Sequence, residues 1–343
     1  MIENNKYTTS EKQLITALSW FRSRYALFMG LSIERKADRQ NIEEFGRIWI
    51  GGFKEDWGNA FLSLSEKNII AVINDGYNFT EYGNIIKTEI ESEIPFYKYE
   101  YDNYFHLVNS SNAHSLFCEK VYGLDLSQHG LIDQSELSIL IDKIKKFKPK
   151  NITDLGCGNG RITEWISEQT QTVCLGIDIS SEAIKHANEK TKENNLVCFL
   201  EENLNDLSAL QQTDCVLFLD TLYYANSLKD TIKKAHELLT ENGRIYAYFS
   251  QWIMDENYQE NLRPDNTHIA KILNELKLFY SFTDLTESGI NHWKRKLEAL
   301  TIMKKSFFEE GSEYLWHYRQ REASRYANWG AKKYSRYLYE IEK

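Results

Sequence analysis

The chain has 343 residues, of which 42% are hydrophobic, and 41 Lys and Arg stand against 50 Asp and Glu for a formal charge of −9. That length favours two domains over one, and the acidic balance gives no support for a nucleic-acid partner. No apolar run approaches the ~20 residues of a membrane span, and Met1-Ile-Glu-Asn-Asn-Lys6 lacks the charged-then-apolar pattern of a signal peptide, so a cytoplasmic protein with no membrane partner is expected.

Three prolines and no Gly/Ser-rich run argue against long disordered linkers. The five cysteines form no C-x-x-C, and no His/Cys/carboxylate cluster has metal-ligand spacing, so no metal is expected. Cys174, Cys198 and Cys215 fall in or beside strands and read as buried, reduced thiols.

In chain order, Ser10 to about Leu31 is apolar-periodic through Leu14, Ile15, Leu18, Phe21, Tyr25 and Phe28, a helical pattern. Further helical segments cover Phe45–Trp49 and Trp57–Leu64. Asn68–Ile73, a turn at Asn74-Asp75-Gly76, and Tyr77–Phe79 predict a hairpin, and Thr80 starts another helix. Helices followed by a hairpin resemble a winged-helix domain over residues 1–96. The helix that would read DNA, Lys54–Lys67, has no basic excess and bears Trp57, Phe61 and Leu62, which favours packing or a dimer interface. Pro95 breaks the helical pattern. Connecting helices over 97–130 follow, rich in aromatics, then a turn Tyr122-Gly-Leu-Asp-Leu-Ser-Gln-His-Gly130 and a helix at Gln134–Phe147.

Asn151-Ile-Thr-Asp-Leu-Gly-Cys-Gly-Asn-Gly-Arg161 reads as a buried strand, a glycine turn and a helix carrying Ile162, Trp165 and Ile166 on one face. Glycines let backbone come close to a ligand, and the helix N-terminus presents free N–H groups. A dinucleotide fingerprint, G-x-G-x-x-G/A, would need its third glycine at position 161, which is Arg161. A G-x-x-x-x-G-K-[ST] loop is absent. Strands are predicted at Gln171–Ile177, Leu196–Leu200, Val216–Leu219 and Gly243–Gln251, the last after a helix ending at Asn242-Gly243. Strands alternating with helices imply a parallel α/β sheet. Asp154, Asp178, Asn203 and Asp220 all fall at the strand carboxyl ends, where such sheets bind ligands.

Asp154-Leu-Gly156-Cys157-Gly158-Asn-Gly160 resembles the first motif of class I S-adenosylmethionine (SAM) methyltransferases, [DE]-x-G-x-G-x-G, with every position filled. The resemblance covers about residues 120–343 and is nearest the small-molecule enzymes of the ubiquinone/menaquinone-biosynthesis type. It implies a Rossmann-like, seven-stranded sheet over 131–343, mostly parallel, with an antiparallel last strand at Tyr334–Ile341 inserted between strands five and six (Phe279–Leu285). It implies a helical lid at about 286–330, from helices Glu287–Phe308 and Glu313–Ala327, after a helix at Ile269–Leu278. An N-terminal domain in such enzymes serves dimerisation, so a homodimer through residues 1–96 is an expectation.

The same resemblance places SAM, and its product S-adenosylhomocysteine, on Asp154, Gly156, Cys157, Gly158 and Gly160, with Asp178 on the ribose hydroxyls and Ile179 beside it. Asp178 can also cap the helix starting near Ser181. Asn203 and Leu204 fall near the adenine, with Glu202 and Asn205 as alternatives in register. Gln128, His129 and Tyr122 lie on a segment that folds over the cofactor, or else form a helix-ending turn. Asp220, Tyr223 and Tyr224 fall under the sulfonium and the acceptor. Trp252 and Trp293 are acceptor candidates, with Trp316, Tyr318 and Arg319 on the lid. Methyl transfer to O or N of a small molecule is the expected chemistry. Transfer to oxygen wants a base, for which His129, His292 and His317 are candidates with Tyr224 and Asp220 as hydrogen bonders. The alternative is a ligand-sensing or DNA-binding regulator with a methyltransferase-like domain.

Overall fold

The computed structural model describes residues 6–29, 36–49, 57–328 and 330–343. The chain divides into two units, Met1–His106 and Leu107–Lys343.

The first unit holds α1 (Thr9–Met29), α2 (Arg39–Trp49), α3 (Trp57–Glu66), β1 (Ile70–Ile73), β2 (Gly76–Phe79), α4 (Glu81–Glu93) and most of α5 (Phe96–Val108). α1 packs on α2, α3 and α4, and Leu14, Ile15, Leu18, Phe45, Phe61 and Leu64 are buried. The predicted hairpin is present: Asn74 and Asp75 have φ of 53° and 61°, and Ile73 pairs with Gly76. A two-residue loop with both positions left-handed matches the twist of its strands, and Asn and Asp tolerate that conformation. Thr80 Oγ1 then accepts the Gly83 N–H at 2.9 Å and caps α4. The expected end of the first helix at Leu31, and residues 54–56 of the helix nominated for DNA, lie outside the described residues. The rest of that helix is α3, which buries Trp57 and Phe61 but exposes Leu62.

The second unit runs α6 (Asn112–Tyr122), α7 (Gln134–Phe147), β3 (Asn151–Leu155), α8 (Arg161–Thr170), β4 (Val173–Asp178), α9 (Ser181–Lys190), β5 (Val197–Glu201), β6 (Thr213–Leu219), α10 (Leu228–Leu238), β7 (Leu239–Trp252), α11 (His268–Glu275), β8 (Tyr280–Asp284), α12 (Thr286–Glu310), α13 (Glu313–Tyr326) and β9 (Tyr334–Glu342). The seven strands of this unit lie in the order β5-β4-β3-β6-β7-β9-β8. β9 is antiparallel to both neighbours, and β5, β4, β3, β6 and β7 pair in parallel. This is the Rossmann-like sheet expected from the sequence, with the last strand inserted where it was expected.

Side chains alternate between the faces of a strand. Val216 and Phe218 of β6 pack with Ile232 and Ala235 of α10 and Ile269 and Leu273 of α11. Cys215 and Leu217 face the other way, toward Leu137, Leu140 and Ile144 of α7. The sheet is therefore covered on both faces, as its near-continuous apolar strands require.

Two details differ from the sequence reading. The helix expected to end at Asn242-Gly243 ends at Leu238, and the Asn-Gly pair instead lies at an irregularity within β7, with Asn242 at φ 66°. A shift in register between Thr213↔Leu239 and Cys215↔Arg244 takes up the extra residues. Cys198 is exposed rather than buried. It lies on β5, the edge strand, where only Phe199 is buried. Among the described residues no helix is long and apolar enough to cross a membrane.

Candidate active site

The glycine turn is built by contacts that only glycine permits. Gly156 has φ 88°, and a Cβ there would lie 2.5 Å from Thr221 Cγ2. Thr221 sits at the exit of β6 and donates its hydroxyl to the Leu155 carbonyl at 2.6 Å. The Gly156 and Cys157 N–H groups both donate to the Ile177 carbonyl, at 2.8 and 2.9 Å, tying the turn to the end of β4. α8 starts at Gly160 with no side-chain cap.

Two carboxylates frame the turn. Asp178, at the end of β4, accepts the Gly158 N–H on Oδ2 at 2.8 Å and the Ser180 N–H on Oδ1 at 2.9 Å. Asp154 is buried and accepts the Thr163 hydroxyl on Oδ2 at 2.6 Å, while its Oδ1 is buried with no hydrogen-bond partner. Burial pushes the Asp154 carboxyl up to about 7, with Asp178 adding to the effect. A buried acceptor without a partner costs free energy unless a ligand supplies a donor.

The segment 124–131 is pinned from three sides. Arg161, the first residue of α8, donates from Nη1 to Asp125 Oδ2 and Ser127 Oγ and from Nη2 to the Asp125 carbonyl. The buried Arg319 of α13 donates to the carbonyls of Gln128 and His129. Asp220, at the end of β6 with φ 62°, accepts the Leu131 N–H at 2.8 Å. Asp220 is itself held by Arg336 of β9, Nη1 to Oδ1 at 2.6 Å and Nη2 to Oδ2 at 2.9 Å, and Arg336 also reaches Glu136 of α7.

Beyond β6 and β7 lies a run of aromatic rings. Tyr223 packs on Phe249 (centroids 5.2 Å apart) and Trp252 (5.6 Å), Trp252 on Tyr326 (5.7 Å), and Tyr326 on Trp293 (4.8 Å). Tyr223 and Trp252 remain partly exposed. Helices α12 and α13 therefore meet the strand ends at this wall.

A methyltransferase-domain family matches the chain over residues 153–245, from within β3 to within β7. Residues 153–245 thus match a methyltransferase domain. The chain is 23% identical over 250 residues to the botryococcene C-methyltransferase of Botryococcus braunii, covering 71% of this chain but 61% of that relative. The chain thus spans about three fifths of that relative's length. Two solved structures share the fold. One is Haemonchus contortus phospholethanolamine N-methyltransferase 2 in complex with phosphomonomethylethanolamine and S-adenosylhomocysteine (TM-score 0.55, 12% identity, 71% of this chain and 60% of that one). The other is the [4+2]-cyclase SpnF (TM-score 0.54, 13% identity, 71% and 95%). A cyclase on the same fold shows that the architecture alone does not fix the reaction.

The sequence-nominated residues fall into three groups. The turn group comprises Asp154, Gly156, Cys157, Gly158, Gly160, Asp178 and Ile179, on adjoining strand ends. At the neighbouring end of β5, Asn203 Oδ1 accepts both the backbone and side-chain N–H of Asn205 at 2.9 Å, Leu204 is buried, and Asn205 Oδ1 accepts the Asn226 N–H. The second group, Gln128, His129 and Asp220, lies on or against the pinned segment. Gln128 is buried and uses its side chain on the Leu126 N–H and the Leu124 carbonyl. His129 Nε2 lies 2.9 Å from the Tyr318 hydroxyl, and burial, aided by Arg319, pushes its imidazole down to about 3.

The third group is the aromatic wall, with Tyr223, Trp252 and Trp293. Tyr224 lies in a short turn beside it, its carbonyl 3.5 Å from Asn205 Nδ2. Tyr122 stands apart from the wall, buried, donating its hydroxyl to the Gly130 carbonyl and packing on His292. His292 is buried, and His317 is exposed against Trp316 and Phe308. Sequence reading missed Arg336, Glu136, Arg161 and Tyr326. Arg336 alternates with apolar residues in a predicted strand, and that isolated charge in a buried strand was the available signal.

Proposed function

We propose that the chain transfers a methyl group from SAM to a small-molecule acceptor, with oxygen or nitrogen as the receiving atom. The observation that carries this reading is the pair of acids at the glycine turn. Asp154 and Asp178 would repel a pyrophosphate but suit a ligand with a ribose diol and positive charge. Arg161, the cation beside the turn, is committed to Asp125 rather than left for a phosphate. Asp178, a carboxylate at the end of β4 that already accepts the Gly158 and Ser180 N–H groups, is the residue type that accepts from a ribose diol. Asp154 Oδ1 awaits a donor. Asn203 and Leu204 would border the adenine, and Gln128 would stiffen the segment covering it.

SAM supplies a methyl group on a positively charged sulfur, which leaves as neutral S-adenosylhomocysteine when the acceptor's electron pair takes the methyl carbon. The chain's own work is alignment and exclusion of water. Arg336 fixes Asp220, and Asp220 fixes Leu131, so Asp220 acts as a positioning residue. His129, held neutral with its imidazole down to about 3, is too weak a base to take a proton from the acceptor and would instead hold the pinned segment against Tyr318. The first unit, with four helices, a hairpin and most of a fifth helix, would serve as a dimerisation domain.

Calorimetric titration of the whole chain with S-adenosylhomocysteine tests this. Micromolar binding, weakened at least about tenfold by Asp178→Ala through loss of charge-assisted hydrogen bonds, is the expected result. A folded wild type that binds neither S-adenosylhomocysteine nor SAM overturns it.

A further inference from the structure

The geometry points to an uncharged acceptor with an extended apolar or planar body, selected by the aromatic wall against ammonium compounds of the same shape. This rests on the methyl-transfer reading and names the acceptor class for that site. The wall runs Phe249, Tyr223, Trp252, Tyr326, Trp293 across the ends of β6 and β7 and both lid helices. Aromatic walls bind two kinds of partner, apolar surfaces and cations. Here the charge around the rings decides between them.

Lys296 Nζ lies 4.7 Å from the Trp293 ring centre, and the Arg325 guanidinium lies 5.6 Å from that of Tyr326. Two rings of the wall therefore already serve protein cations. Glu322 Oε2, 3.2 Å from Lys296 Nζ, offsets that lysine's charge, which leaves the Arg325 guanidinium as the cation that repels an ammonium at the wall. The hydroxyls of Tyr223 and of the neighbouring Tyr334 are both engaged by Ser250. Tyr223 accepts the Ser250 N–H, and Tyr334, packed with Trp293 in the same cluster, shares a hydrogen with Ser250 Oγ at 2.9 Å. What remains toward solvent is ring surface on Tyr223 and Trp252, both more than a third exposed. One donor is left over: Trp293 Nε1 is buried with no partner. A single N–H suits an acceptor that carries one oxygen lone pair on an otherwise apolar frame.

The test uses two probes of equal shape and different charge, 4-neopentylphenol and (4-hydroxybenzyl)trimethylammonium. Binding to the whole chain is read by quenching of tryptophan fluorescence, with and without saturating S-adenosylhomocysteine. The neutral probe is expected to bind at least about tenfold more tightly than the ammonium, and Trp252→Ala is expected to weaken it. Lys296→Met, and separately Arg325→Gln at an exposed position that leaves the core untouched, are each expected to narrow the gap by raising ammonium affinity. Equal or tighter binding of the ammonium probe, or binding of neither, overturns the proposal. Failure of S-adenosylhomocysteine to bind while the probe ranking holds would overturn the methyl-transfer reading alone.

Discussion

Arg336 on β9 donates to both carboxylate oxygens of Asp220 on β6, at 2.6 and 2.9 Å, although 116 residues separate them. The same guanidinium reaches Glu136 Oε2 at 2.9 Å and Ser250 Oγ at 3.0 Å. All three ionised groups are buried, and two carboxylates share one cation. Arg336→Met would leave both acids without their partner, which costs about 3–5 kcal/mol for a broken buried pair. The denaturant midpoint should fall accordingly, and adding Glu136→Gln should recover part of the loss. A midpoint unchanged by Arg336→Met would show that water already screens the pair.

The glycine turn makes a second, separable claim. Gly156→Ala places a Cβ at 2.5 Å from Thr221 Cγ2 and a side chain at φ 88°. The left-handed strain costs about 1–2 kcal/mol, and the clash adds to it. Thr221→Ser removes Cγ2 yet keeps a hydroxyl for the Leu155 carbonyl. The double variant should therefore be more stable than the sum of the single changes, by about 0.5–3 kcal/mol of coupling. Additive unfolding energies would refute relief at Cγ2 and leave backbone strain and the contact with Thr221 Cβ at 2.8 Å as the cost.

The turn, the parallel strands and the order of β9 were legible because they rest on local signals: glycine spacing, strand-end acids and alternating aromatics in Tyr334–Ile341. Tyr223, Trp252 and Trp293 were nominated from strand ends and an amphipathic helix, and the structure brings them into one run of rings through Tyr326. The clamp on residues 124–131 was not legible. Arg161, Arg319 and Arg336 come from α8, α13 and β9, and nothing in local spacing says which carbonyl or carboxylate a distant arginine will meet. Asp220 read as a reacting group because of its place at a strand end. Its partner, which gives it the positioning role proposed above, lies far along the chain. The Asn242-Gly243 signal was real but ambiguous, since a left-handed Asn ends a helix or makes a turn equally well.

Asp154 predicts a pH dependence with a definite sign. Its carboxyl is raised from 3.8 to about 7, so between those values the folded state holds a proton that the unfolded state has lost. Its contribution therefore destabilises the fold progressively as pH rises from about 4 to about 7, and levels off above. Asp154→Asn keeps an acceptor for Thr163 and removes the titration. Against wild type, the variant should gain stability as pH rises through that window, reaching a few kcal/mol at pH 8. Chemical denaturation at matched pH values reads it, and a constant offset from pH 4 to pH 8 would mean that the carboxyl titrates normally.

His292 supplies the opposite limb. Both ring nitrogens are buried without partners, and the ring packs edge-on to Tyr122 with centroids 4.9 Å apart. Burial, with Lys296 adding, holds its imidazole well below the ordinary 6.5. Here the unfolded state binds the extra proton, so stability from this site is full at neutral pH and is lost as pH falls below about 6.5. His114 and His129 are shifted the same way. His292→Phe replaces two unsatisfied polar atoms with an apolar ring of similar shape, removing a desolvation cost of about 1–3 kcal/mol. The variant should match or exceed wild-type stability at pH 7.5, and its advantage should grow as pH falls toward 4.5. Loss of stability at pH 7.5 would mean that a nitrogen of His292 has a partner, such as a buried water, that phenylalanine cannot keep.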